Sequence, residues 1–477
     1  MTEIEIVSHC ESGCMEIYPM IPEIMDELVF TVRSFDRGGV SINPITGKSV
    51  YKRGTGMQFE SRELFVEQDN GVFLTHCNMY LRIASKLQKL GIPFTYTKVG
   101  SWKEPELNPG VVADLDNNQI DAVAALLASA NTGGGMVEAC TGSGKTRVIA
   151  ALVRAFKKYR VAIMTSSISV VRSLHSNLTE LLANDKVELG LCHGSQKNPK
   201  RITIVSTGTV EYIEPDEIDV LIIDEAHQVA GDVASQSVLL FRKALRFGLS
   251  GTVSDRFDGK ERVLESMLGP IIYTFDDQQA EASGRVCPLS AYFMSIPDGP
   301  QVEDMTPERR TKFGIWRNKI RNALVKEVVD NAPADQQLLV FVQTIEHLEE
   351  LVKIMPDFEV CHGDLKTKER EVIEERFVDG SCLRLISTNC LSTGVDPKNL
   401  MIMIDASHIK GDAAMVQKRG RLRRWADGKT HGVLINFMDE WSDKLGAKAL
   451  KRIAEHSKRG DTIKTMASVE DIEWVKS

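Results

Sequence analysis

M-V-E-A-C-T-G-S-G-K-T-R, residues Met136–Arg147, runs from a short apolar strand through a glycine-punctuated turn into a helix that opens on Lys145 and Thr146. Such a turn is a cradle for phosphate. Gly142 and Gly144 let the backbone fold tightly enough for successive N–H groups to converge on an anion, with Thr141 and Ser143 in the loop between strand and helix. The helix N-terminus adds partial positive charge, Lys145 reaches toward β- and γ-phosphates, and the Thr146 hydroxyl is placed for Mg2+. Ala139 occupies the first slot, where the strict form of the pattern has glycine. The stretch by itself implies a bound nucleoside triphosphate.

About 80 residues on, Leu221-Ile222-Ile223-Asp224-Glu225-Ala226-His227 is an apolar strand that ends in two adjacent acids. At the carboxyl end of a parallel sheet that tip faces the ligand crevice. Asp224 is positioned to hold Mg2+, and Glu225 to polarise a water for attack on the γ-phosphate. His227 is better suited to couple the acids to a neighbouring segment than to ligate metal. Leu249-Ser250-Gly251-Thr252 follows the next strand, and its hydroxyls suit a hydrogen-bond relay.

In the second half, Ser387–Asp396 is a polar, glycine-containing loop after a strand, suited through Thr388 and its neighbours to a phosphate backbone or a ribose. Gln417-Lys418-Arg419-Gly420-Arg421-Leu422-Arg423-Arg424 then places five cations within seven residues. Forked guanidinium donors match phosphate, so this cluster is expected to face nucleotide.

Strands and helices alternate through both blocks, as in parallel α/β sheets. Residues 1–106 read as a separate accessory module for DNA binding, 111–283 and 284–437 as the two α/β domains, and 438–477 as a charged helical extension. A proline- and glycine-rich crossover is expected near Ala280–Pro300, followed by a basic helix from Pro307 to Val329. The net charge of −8 excludes a globally basic polyanion binder, so any nucleic-acid surface is local. Nine scattered cysteines suit free thiols in a reducing compartment. His9, Cys10, Cys14, His76 and Cys77 fit no common zinc-ligand spacing. No run approaches the ~20 apolar residues of a membrane span and no leader is visible, so a soluble, cytoplasmic protein is expected, in the host cytoplasm if phage-encoded.

The ordered set A-C-T-G-S-G-K-T (Ala139–Thr146), D-E-A-H (Asp224–His227), S-G-T (Ser250–Thr252), S-T-G-V-D (Ser392–Asp396) and Q-K-R-G-R-L-R-R (Gln417–Arg424) resembles that of superfamily 2, the DExH/DEAH-box helicases and translocases. The resemblance covers about residues 111–437. Within that superfamily the chain is similar to phage branch-migration helicases of the UvsW type, through S-R-E-L-F (Ser61–Phe65) in a small N-terminal module, a compact core and G-L-S-G-T (Gly248–Thr252).

The resemblance implies an α/β fold of two tandem RecA-like parallel-sheet domains with a small α+β N-terminal domain, and ATP with Mg2+ as cofactors. It makes Lys145, Asp224, Glu225, Gln417, Arg421 and Arg424 catalytic, the last two as arginine fingers. Gly394 and Asp396 fall on the ribose side. Thr165, Ser166, Ser206 and Thr207 in the first domain, and Gln343, His362 and Gly363 in the second, fall where the family grips the nucleic-acid backbone. The arginine and aromatic of the family's adenine-reading element are missing from Leu115–Gln119, which leaves Gln119 for the adenine edge. The expected activity is ATP-driven unwinding or branch migration of forks, D-loops and Holliday junctions by a monomer, with RNA the second choice of substrate. A DExH-type RNA helicase and the motor subunit of a restriction complex are the alternatives.

Overall fold

The computed structural model describes residues 3–42, 49–166, 168–254, 258–388, 397, 399–407, 419–426 and 428–475. Gly394, Asp396 and Gln417 lie outside the described residues. The chain divides into two compact units, Met1–Ala139 with Gly144–Thr274, and Cys140–Ser143 with Phe275–Ser477.

The first unit contains an eight-stranded sheet in the order Gln196–Asn198, Leu189–His193, Ile202–Ser206, Val161–Thr165, Val220–Asp224, Leu245–Ser250, Gly134–Ala139 and Ile271–Phe275. From Leu189–His193 through Gly134–Ala139 the neighbours are parallel. These strands are continuous apolar runs, buried along nearly their whole length, because helices cover both faces of the sheet.

The same unit carries the N-terminal α+β module. Its five strands run in the order Phe65–Glu67, Phe73–His76, Cys14–Tyr18, Ile4–His9 and Phe94–Val99, with the helix Tyr80–Leu90. Val29–Ile42 and Ser49–Glu63 form a separate two-stranded antiparallel ribbon. Strand register places Cys14 opposite both His9 and His76. The Cys77 thiol donates to the Cys14 carbonyl at 2.8 Å, and burial pushes it up to about 12. Among the described residues no group of three His, Cys, Asp or Glu is placed to hold a metal.

The second unit is built on a seven-stranded parallel sheet in the order Glu359–Cys361, Arg384–Ser387, Gln337–Phe341, Leu400–Asp405, Gly432–Asp439, Leu289–Ile296 and Thr462–Met466. Three sequence expectations change here. The crossover near Ala280–Pro300 contains the interior strand Leu289–Ile296, which Pro288 and Pro297 bound at either end. The helix Asp277–Ala282, expected with the first α/β domain, groups with the second unit. The terminal stretch is more than a helical extension: after the helix Asp443–Lys458 it adds the edge strand Thr462–Met466.

The basic helix also breaks. It runs Pro307–Thr311, passes through an irregular turn over Lys312–Trp316, and restarts at Lys319. Asn318 caps the restart, accepting from the N–H groups of Ile320 (3.0 Å) and Arg321 (3.2 Å). Arg321 is fully buried, donating to the Ala406 carbonyl at 2.8 Å and lying 3.3 Å from Asp439. Beside it, His347 is also fully buried and donates from Nε2 to Asn322 Oδ1 at 3.1 Å.

Burial, with the Arg321 charge adding, pushes the His347 imidazole down to about 3. The neutral form is therefore native and the unfolded chain binds the extra proton. Stability is fully present above the ordinary histidine value near pH 6.5 and is lost as pH falls from there toward 3, by up to ~1.4 kcal/mol per pH unit for this group. Urea unfolding at pH 7, 6 and 5 should show a steeper acid loss for the wild type than for His347→Gln, and equal slopes would contradict it.

Candidate active site

Parallel strands deliver the sequence motifs of the first unit to one edge. Gly134–Ala139 runs into the phosphate loop, and its Glu138 lies in register with Ser250 of the next strand. Leu249 is in register with Asp224, and Ser206 with Thr165 on the far side. Five adjacent strands thus end in the loop, Ser250, Asp224, Thr165 and Ser206.

The loop has the geometry an anion needs. Gly142 (φ 90°) and Gly144 (φ 87°) adopt the left-handed region that glycine tolerates without strain. Gly144 opens the 11-residue helix Lys145–Ala155, and Thr141, Gly142, Lys145 and Thr146 all remain partly accessible. Lys145 Nζ donates to the Ala139 carbonyl at 3.2 Å, which folds the ammonium back over the cradle. Backbone donors at a helix N-terminus, one ammonium, one hydroxyl and a nearby acid pair are a donor set that fits a triphosphate and its divalent cation.

Glu225 is one of two non-glycine residues with positive φ among those described (φ 51°). This uncommon conformation turns the chain sharply after the strand, and its N–H donates to Asp224 Oδ1 at 3.0 Å. Burial and the adjoining Glu225 charge push Asp224 up. Glu225 is buried too, yet the Lys145 charge and His227 hold it below the usual carboxylate range. The two acids are thus electrically distinct.

His227 does couple segments. Its Nδ1 lies 2.9 Å from Ser250 Oγ and 3.3 Å from Glu225 Oε2, and Ser250 Oγ accepts from the Thr252 N–H at 3.2 Å. Sequence reasoning missed Glu138, whose carboxylate accepts from the Val253 N–H (2.6 Å), the Ser254 N–H (3.0 Å) and the Ser254 hydroxyl (2.6 Å). The signal was an acid inside an otherwise apolar strand. It ties the loop after Ser250-Gly251-Thr252 to the strand that feeds the phosphate cradle.

Two family models match the chain: the type III restriction enzyme res subunit over residues 113–255, and the helicase conserved C-terminal domain over 319–426. The chain belongs to helicase superfamily 2. It is 24% identical over 308 residues to the DNA 3'-5' helicase XPB of Kineococcus radiotolerans, covering 62% of this chain and 55% of that protein. It is 23% identical over 228 residues to the ATP-dependent DNA helicase uvsW of Enterobacteria phage T4, covering 45% of each. The chain thus spans about half the length of these curated relatives. Among solved structures, S. cerevisiae Dbp5 bound to RNA and ADP BeF3 superposes with a TM-score of 0.56 at 16% identity, over 74% of this chain and 90% of that one.

In this superfamily 2 chain the other motif residues divide into accessible and internal. Gln119 is buried, and its side-chain oxygen accepts from the Asp116 N–H at 3.3 Å in a helix capping box, so its amide has a local structural task. Ser206 is buried and bonded to Thr209 at 2.8 Å, whereas Thr207 beside it is partly exposed. Thr165 is buried at the strand tip, and Ser166 Oγ donates to Gln228. In the second unit the adjacent strands Gln337–Phe341, Arg384–Ser387 and Glu359–Cys361 bring Gln343, Thr388 and the His362-Gly363 pair to one edge. A side chain added at Gly363 would meet nothing within 4 Å, so its backbone is open to approach.

The cation cluster is corrected in part. Arg419 and Arg423 are buried among the chain's own carboxylates, with Arg419 on Asp461 (2.6 Å) and Asp277 (2.9 Å), and Arg423 on Asp277 (2.6 Å) and Glu281 (2.7 Å). Residues i and i+4 share a helix face, so Arg421, between these two, falls on a different one; it is buried as well, and Arg424 lies just past the helix, partly accessible.

Replacing Glu138 by Gln removes the charge that three donors converge on. ATP hydrolysis at saturating nucleic acid should fall by about three- to tenfold, with ATP affinity unchanged. Steady-state kinetics check this, and an unaltered rate would show that Glu138 is only packing.

Proposed function

We propose that the chain is an ATP-dependent DNA helicase or translocase that unwinds or branch-migrates forked DNA. The observation that carries the reading is the common edge of the first sheet, where five adjacent strands end in the phosphate loop, Ser250, Asp224, Thr165 and Ser206. Bound MgATP supplies the phosphoanhydride whose cleavage drives the cycle. Lys145, Thr146 and the loop N–H groups bind it, Asp224 takes the metal side, and Glu225 accepts a proton from the attacking water. Arg421 and Arg424 neutralise charge on the transferred phosphoryl group, with Gln417, Gly394 and Asp396 beside the nucleotide. Ser166, Thr207, Gln343, His362, Gly363 and Thr388 hold the sugar-phosphate backbone, and the N-terminal module adds duplex contacts.

DNA is favoured because matches to DNA helicases extend over much of the chain, and the likeness to uvsW supports the branched substrate. The match of residues 113–255 to a restriction res subunit supports a second reading, a motor within a larger restriction assembly. Sizing the purified chain and assaying it alone separates the two: a monomer that is active on forks favours the first. Among the described residues no helix is long and apolar enough to cross a membrane.

Wild-type ATP hydrolysis should rise with forked DNA more than with a matched RNA, and Lys145→Ala should lower it by about 100-fold or more. Binding should be independent of sequence and weaken steeply with salt. Turnover indifferent to both nucleic acid and the substitution would overturn the proposal, and stronger stimulation by RNA would reassign the substrate.

A further inference from the structure

The helical turn at Arg419 is gripped by parts of the chain outside the two matched family regions. Arg419 is fully buried; its Nε donates to Asp461 Oδ2 at 2.6 Å, its Nη2 to Asp461 Oδ1, and its Nη1 to Asp277 Oδ2 at 2.9 Å. His456, also fully buried, donates from Nδ1 to the same Asp461 at 2.6 Å. Arg423, one turn on, reaches Asp277, Glu281 and the Cys287 carbonyl (3.2 Å), and Arg459 adds a third guanidinium at 3.5 Å from Asp277. Three guanidinium groups thus meet three carboxylates in a largely buried cluster. Burial works against the Arg419 charge and the carboxylates of Asp461 and Asp277 more than restore it.

Buried ion pairs add little net stability over well-packed apolar side chains, so stability alone is a weak reason for this one. Its geometry suggests a better one. Bidentate guanidinium–carboxylate pairs fix orientation as well as distance. Here they fix the helical turn from Arg419 to Arg423, closed by the Arg423 N–H on the Arg419 carbonyl at 3.1 Å, with Arg421 between them on another face and Arg424 next in the chain. We propose that Asp461 and Asp277 are positioning residues that hold, through Arg419 and Arg423, the helical turn that carries Arg421 and leads into Arg424. The proposal rests on the reading of those two arginines as charge-stabilising groups. His456 orients Asp461, and Glu281 seats the outer end of the helix.

Misplacing a charge-stabilising group slows the chemical step without weakening nucleotide binding. In the full chain with saturating DNA, Asp461→Asn should lower kcat for ATP hydrolysis about tenfold, leave KM for ATP within about twofold, and keep a thermal midpoint well above the assay temperature. Glu281→Gln, at the partly exposed rim, should fold normally and lose about threefold, which decides the matter if Asp461→Asn does not fold. Arg421→Ala reports on the underlying reading. If it lowers kcat while folded Asp461→Asn and Glu281→Gln keep the wild-type rate, the positioning role is overturned alone. If Arg421→Ala itself keeps the wild-type rate, the arginine reading fails and the positioning role with it.

Discussion

In a parallel sheet every strand must end on the same edge, and this topological constraint assembles the candidate constellation. Each crossover helix carries the chain back to the opposite edge, so motifs tens of residues apart in sequence become neighbours about one strand spacing apart. The phosphate loop, Ser250 and Asp224 stand on three adjoining strands, and Thr165 and Ser206 on the next two. Because the strands are covered on both faces, their apolar runs fix the edge rigidly, and the polar chemistry is confined to the strand tips and the first residues beyond them. That confinement gives Glu225 its unusual backbone: the chain must leave a buried strand and present a carboxylate within one residue.

The same constraint explains how much of the fold and site was legible in sequence. An apolar run with a polar tip announces both the strand and the residue at its end, so the places of Asp224 and Glu225 at a strand tip, of Lys145 at a helix start and a link from His227 to a neighbouring segment were readable from spacing and residue type. Leu289–Ile296 was not, because its bounding prolines and glycines have the composition of a linker, although an interior strand needs only its own eight residues to be proline-free. Thr462–Met466 was hidden by the charged helix before it, and an edge strand half exposed to solvent lacks a strong apolar pattern. Gln119 shows a different limit. A capping box and an adenine contact both call for glutamine, and only the structure reveals that its side chain is engaged with Asp116.

Charge was the least legible property, because sequence records cations without their partners. The five-cation stretch looks uniform until helical periodicity is applied. Two of its arginines then fall on a face that meets Asp277, Glu281 and Asp461. Asp277 lies 142 residues before Arg419 and Asp461 lies 42 after it, so no local pattern connects them. A strongly basic segment is therefore not a count of ligand contacts. Part of its charge can belong to the scaffold that aims the rest.

The N-terminal module shows the same logic at an interface within the first unit. Arg82 bridges Glu27 of the module and Glu265 of the motor sheet's covering helix, and Arg262 donates to the carbonyls of Asp26 (3.0 Å), Glu27 (3.3 Å) and Val29 (3.2 Å). Arg246 is buried and donates to the carbonyls of Phe241 and Met267, and burial pushes it down to about 10. It remains charged at neutral pH, so a second cation beside it would be repelled. His76 meets that demand: burial, with the Arg246 charge adding, pushes it down to about 4 and keeps it neutral. A guanidinium bonded to the motor's own backbone carbonyls thus stands beside a neutral imidazole of the module.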